Sequence, residues 1–96
     1  MKLRFQRRAR SDLDAIYEYV ATFDAVAAQR LLDRIGASIA RLRDHPRSAP
    51  ARDEAAIGMR VLSVAKYNIL YRIDPDAVVI VRIIHSARDL SRIDLA

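Results

Sequence analysis

The sequence predicts an α+β domain: an N-terminal strand, an antiparallel helical hairpin, then a three-stranded antiparallel meander forming one sheet packed on the hairpin. Three observations predict it. The stretch from Ile57 to Asp89 holds three runs rich in Val, Ile and Tyr, namely Met59–Val64, Tyr67–Ile73 and Val78–Ile84, each bounded by turn residues. Between Ala9 and Leu42 the apolar residues recur at helical spacing. The chain has 96 residues, 52% of them hydrophobic and 30% charged, which suits one globular domain over 1–96.

Lys2–Arg7 opens the chain with Leu3 and Phe5 alternating against Lys2, Arg4 and Gln6, the period of a half-buried strand. The first eleven residues carry five basic groups and no acid, which suits a blunted sheet edge or a binding surface. Arg10 or Ser11 marks the entry to the first helix, with Asp12 and Asp14 where acids favour a helix N-terminus. Ala9, Leu13, Ile16, Tyr17 and Val20 make its apolar stripe. Tyr19 and Phe23 lie on the flank of that stripe, where sealing the helix edge is slightly favoured over awaiting a partner. Asp24 can cap a second helix that runs to about Asp44, with Ala28, Leu31, Leu32, Ile35, Ile39 and Leu42 as its stripe. Gly36 within it costs about 1 kcal/mol against Ala, which close packing on the first helix would explain. His45-Pro46 stops the helix, and residues 45–57 form a loop to the sheet.

Asp74-Pro75-Asp76 is a tight-turn signal. Pairing across it sets Ile73 opposite Val78 and Arg72 opposite Val79. Strict alternation then puts Asn68, Leu70, Arg72, Val79, Val81, Ile83 and His85 on one face. Tyr67, Ile69, Tyr71, Val78, Ile80 and Ile84 share the other, with Arg82 as an intruder, and that face is the better one to meet the helices. A one-residue change in register would reverse the faces and separate Arg72 from His85. The tail, Ser86–Ala96, is a short helix or an extended arm, and Leu90, Ile93 and Leu95 are apolar enough to dock.

The net charge of +5 and the sequence pI of about 10.2 favour an acidic partner, either nucleic acid or an acidic protein. There is no Cys, so no disulfide or thiolate chemistry. No apolar run is long enough to span a bilayer, and none follows the basic N-terminus as in a signal peptide, so the cytoplasm is the expected home. Nucleophile-elbow, phosphate-loop and zinc-helix motifs are missing, and the two His are far apart in sequence; no metal or cofactor is expected. His45 at a helix end reads as a surface residue. His85 ends an apolar strand with Arg72 and Arg88 near it. An imidazole with guanidinium groups would be a minimal metal-free kit for cleaving RNA through its own 2′-hydroxyl. On spacing alone, His85 more simply satisfies backbone groups at a strand end. Arg60, Lys66 and Arg82 complete the basic set of the sheet region, with Lys66 at a strand turn, well placed for an extended partner.

The segments LRFQRRARSDLDAIYEYV, GMRVLSVAKYNILYRID and VVIVRIIHSARD, in this order of elements, resemble the RelE/ParE superfamily of toxins from type II toxin–antitoxin modules. The resemblance covers nearly the whole chain. It implies a small toxin neutralised by a cognate antitoxin that wraps it with a helix and an extended segment, with Tyr19, Phe23 and Leu31 as the expected antitoxin contacts. RelE-like members cut mRNA in the ribosome, often with a C-terminal Tyr; ParE-like members poison DNA gyrase and need no nuclease site. Arg72 and His85 fall at positions like those of the nucleases and are the catalytic candidates on that branch. No Tyr follows Tyr71, however, and the long helical hairpin and the C-terminal block look more like ParE. The resemblance therefore implies a gyrase inhibitor with Arg60, Lys66, Arg72 and Arg88 as target contacts. The alternatives are a ribosome-dependent mRNA endonuclease and a degenerate, non-toxic antitoxin-binding member.

Overall fold

A computed structural model describes residues 1–95. β1 (Lys2–Phe5), α1 (Arg7–Ala21), α2 (Ala25–Arg41), β2 (Arg60–Val64), β3 (Tyr67–Ile73) and β4 (Ala77–His85) follow in sequence, and a 3-10 turn at Leu90–Arg92 comes after them. The four strands form one sheet in the order β1-β4-β3-β2. The meander is antiparallel, as expected. β1 joins the outer side of β4 in parallel, with Lys2 opposite Ala77 and Phe5 opposite Ile80. A parallel pair needs a long crossover, and the helical hairpin with the meander supplies it.

The helices differ from expectation at three points. α1 starts at Arg7, a turn earlier than Arg10 or Ser11, because Gln6 N–H donates to the Ile80 carbonyl (2.9 Å) and the chain leaves the sheet there. Gln6 makes no side-chain cap, so Asp12 and Asp14 are not the start signal. Asp24 does cap α2, accepting from Val26 and Ala27 N–H at 2.9 and 3.0 Å. The regular helix ends at Arg41, and Leu42, Arg43 and Asp44 follow in tighter i→i−3 turns before His45-Pro46. Gly36 is exposed, with nothing within 4 Å of the place its Cβ would take, so close packing is not its reason.

Register holds at the turn and then slips. Ile73 faces Val78 and Arg72 faces Val79, as expected, and Tyr71 faces Ile80. Leu70 then faces Arg82, which leaves Val81 as the extra residue of a β-bulge. Beyond it the alternation reverses. Ile83, not Ile84, joins the core under the helices with Ala9, Ile35, Ile39, Ile69 and Tyr71. Ile84 lies on the far face with Met59, Val61, Leu70, Val79 and Val81.

The far face is also covered. Leu90, Ile93 and Leu95 of the tail and Ala55 and Ala56 of the loop pack against it. The tail is thus an extended arm with one 3-10 turn, capped by Asp89 accepting from Ser91 N–H at 3.0 Å; Ala96 lies outside the described residues. With both faces covered, β4 is buried at every position but His85. That accounts for its nearly continuous apolar run.

Candidate functional site

β1 stops at Phe5, so the last half of β4 has no strand on its outer side, and α1 crosses there instead. Between them lies a cleft of about 470 Å³ lined by Asp12, Ala15, Ile16 and Tyr19 of α1, Tyr67 of β3, Arg82–His85 of β4, and Arg88. Its floor is organised by Arg82, which is only 5% exposed. The guanidinium makes a two-pronged ion pair with Asp12, Nε to Oδ2 at 2.8 Å and Nη2 to Oδ1 at 3.1 Å. Its remaining Nη1 donates to the Asp94 carbonyl and so ties down the tail. Asp12 Oδ2 also accepts from Ile83 N–H at 2.9 Å, standing in for the strand partner that β4 lacks. Arg8 reaches the Asp94 carboxylate at 3.2 Å across the surface.

At the mouth of the cleft, His85 meets the Tyr67 ring edge-on, with centroids 5.6 Å apart. Its Nδ1 accepts from Ala87 N–H at 3.1 Å, so the neutral ring carries its proton on Nε2. Arg88 lines the same mouth and is exposed, and Lys66 is exposed in the two-residue turn between β2 and β3, where Ala65 takes φ 54. Ser86 N–H donates to the Lys66 carbonyl at 2.8 Å, which brings the turn up to the end of β4.

The other candidates lie apart from this group. Arg72 pairs with Asp74 at 3.0 Å beside the far turn. Its strand partner is Val79, six residues before His85, which puts the two roughly 20 Å apart along the strand. The expected shared face of Arg72 and His85 is therefore corrected: the turn register was right, but the bulge at Val81 reverses the second half of β4. Arg60 is half-buried and donates to the Ala49 carbonyl at 2.6 Å. Tyr19 and Phe23 are 66% and 77% exposed and touch only edge-to-face at 5.5 Å. They do not seal the helix; Tyr19 lines the cleft, and Phe23 stands beside it just before α2. Leu31 is half-buried against the core under the hairpin, so little of it is offered to a partner.

Sequence reasoning missed the Asp12–Arg82 pair. The available signal was the charge itself: an arginine in an apolar strand needs a buried acid, and Asp12 adjoins the stripe of α1. Among the described residues no cluster of three or more His, Cys, Asp or Glu could hold a metal ion, and no helix is long and apolar enough to cross a membrane.

Residues 3–90 match the family described as ParE toxin of type II toxin-antitoxin system, parDE. Toxin ParE3 of Caulobacter vibrioides is 33% identical over 88% of this chain and 86% of its own length. Toxin RelE2 of the same organism is 36% identical over 84% of this chain and 90% of its own. In shape, the chain is similar to one from the chromosomal ParDE TA system of P. aeruginosa, with a TM-score of 0.77, 26% identity and coverage of 88% and 95%. It is also similar to one from the toxin-antitoxin complex RelBE2 of Mycobacterium tuberculosis, with a TM-score of 0.54, 30% identity and the same coverage. Fold and sequence thus agree, and the chain belongs to the ParE toxin family of type II toxin–antitoxin systems.

Proposed function

We propose that this toxin inhibits DNA gyrase and is neutralised by a protein antitoxin seated in the cleft between α1 and β4. The observation that supports the gyrase reading is the distance of Arg72 from His85, roughly 20 Å along the sheet and on opposite faces past the bulge, which keeps these two candidates out of one site. The exposed rings of Tyr19 and Phe23, the cleft with His85 and Arg88 at its mouth, and Lys66 in the turn beside the end of β4 suit a segment with apolar anchors and an acidic end. Solved relatives from ParDE and RelBE2 systems support an antitoxin as that occupant. Lys66 and Arg88 are the target contacts of choice; Arg60 and Arg72 have partners within the chain. Gyrase and a protein antitoxin are both cytoplasmic, and we assign the toxin to that compartment.

A second reading has one specific support. His85 and Arg88 share the cleft mouth, and a relative carries the RelE name. On this reading the protein cleaves mRNA on the ribosome with His85 and Arg88, not Arg72.

Purified toxin freed of antitoxin is added to gyrase, relaxed DNA and ATP. The expected result is lost supercoiling or trapped cleaved DNA, reversed by the antitoxin and unchanged in His85→Ala. Folded protein that leaves gyrase untouched but cuts mRNA on translating ribosomes, with His85→Ala inactive, overturns the gyrase reading in favour of the second.

A further inference from the structure

The helical hairpin carries its charge unevenly. The antiparallel packing of α1 and α2 sets the start of α1 beside the end of α2, and the Met1 amino group donates to the Arg43 carbonyl at the same end. Arg7, Arg8, Arg10, Arg41, Arg43 and Arg47 gather there, all exposed. Asp44 is the only acid within residues 7–10 and 41–47. Arg8 is paired with Asp94, and Arg10 lies over the Phe5 ring at 5.3 Å. Arg7, Arg41, Arg43 and Arg47 have no side-chain hydrogen bond or ion pair among the described residues.

Helix stability does not explain this arrangement. Arg41 and Arg43 do complement the C-terminal end of α2. The three arginines in the first turn of α1 stand at the positive end of its dipole, with no acid among them. The fold places repelled cations where it could have placed neutral residues. The cations are all arginine, whose planar fork takes two phosphate oxygens at once.

The surroundings narrow the partner. Among the exposed large apolar side chains, Tyr19, Phe23 and Val26 lie around the other end of the hairpin, Tyr17 is in the second half of α1 and Ile57 is in the loop before β2; Met1 is the one at the end that holds the arginines. A protein partner would have few anchors to bury there. The aromatic ring at this end, Phe5, packs against the core and is covered by Arg10, so it offers a single strand no open platform for its bases. An exposed surface of six arginines with one acid, Asp44, fits a ligand that presents phosphates alone. We propose that this pole of the toxin binds the phosphate backbone of duplex DNA, irrespective of sequence. The site lies at the opposite end of the hairpin from Tyr19 and Phe23, and it can fail or hold whatever the fate of the gyrase reading.

The test is anisotropy of a labelled mixed-sequence duplex, titrated with the full chain at several salt concentrations. One variant, Arg7→Gln/Arg43→Gln/Arg47→Gln, removes three of the six arginines of the pole. Another, Arg30→Gln/Arg34→Gln/Arg92→Gln, removes the same charge elsewhere. All six side chains are exposed, and circular dichroism checks that both variants are folded. Wild type is expected to prefer the duplex over the single strand. The pole variant is expected to lose roughly 2–3 from the slope of log affinity against log salt, and about 10-fold or more in affinity at low salt. The control variant is expected to keep most of both. Equal losses in the two variants would reduce the effect to net charge and overturn the proposal. So would an unchanged pole variant, or a single strand bound as tightly as the duplex.

Discussion

Arg82 and Asp12 are 70 residues apart in sequence and form the best-buried ion pair of the described residues. Each needs the other, since removing one partner leaves a buried charge uncompensated. Arg82→Met and Asp12→Asn should each cost about 3–5 kcal/mol in urea unfolding, and the double variant should cost less than their sum. Additive losses would mean the two groups do not act as a pair. Tyr71 is the other residue with a distinct prediction. Its side chain is buried, its hydroxyl donates to the Pro46 carbonyl at 2.7 Å, and burial pushes its ionisation above the ordinary tyrosine range. The folded state therefore holds the phenolic proton more tightly than the unfolded chain. That stability is complete below about pH 10 and is lost as pH rises through the folded value. Tyr71→Phe should cost about 1–2 kcal/mol at neutral pH through the lost hydrogen bond, and should flatten the decline in stability above pH 10 in denaturant titrations. Local pattern could flag Arg82 as out of place, but only the tertiary fold reveals which acid receives it.

At the scale of elements, the strands were legible because their signals are local. Val, Ile and Tyr runs between turn residues mark β2, β3 and β4 to within a few residues, and Asp74-Pro75-Asp76 sets the pairing beside it. The bulge was not legible. An unbroken apolar run such as Val78–Val81 looks the same whether its side chains alternate strictly or slip by one, because both faces of the sheet are covered. The error passed into the candidate site, where it put Arg72 and His85 on one face; their distance along the strand follows from the turn register alone. The start of α1 was misplaced for a related reason: a tertiary bond from Gln6 to β4 begins the helix, and Asp12, which looks like a helix-start acid, serves the buried pair with Arg82 instead, while Asp14 is exposed. Gly36 shows the opposite case, a local cost with no tertiary return. Gly36→Ala should stabilise the protein by about 1 kcal/mol, raising the urea midpoint with the slope unchanged. Destabilisation would mean that a side chain at this position meets a neighbour in the folded chain, against the open space around Gly36.

At the scale of the molecule, the tail and the open edge of β4 belong to one arrangement. Arg82 holds Asp12 on one side and the Asp94 carbonyl on the other, so the helix that lines the cleft and the arm that covers the far face share a single clasp. Composition announced a basic domain but not where the charge lies; only the hairpin topology gathers arginines from residues 7–10 and 41–47 at one end. The sheet order has one more effect. β1 has no neighbour except β4, and β4 is the last strand to be made. While the chain is being synthesised, the N-terminal strand waits unpaired until residue 80 has emerged from the ribosome, and the clasp cannot close until Asp94 has followed. A growing chain therefore cannot complete this architecture early: the sheet lacks its first strand pairing until residues 77–80 are available, and the clasp lacks its second arm until Asp94 is.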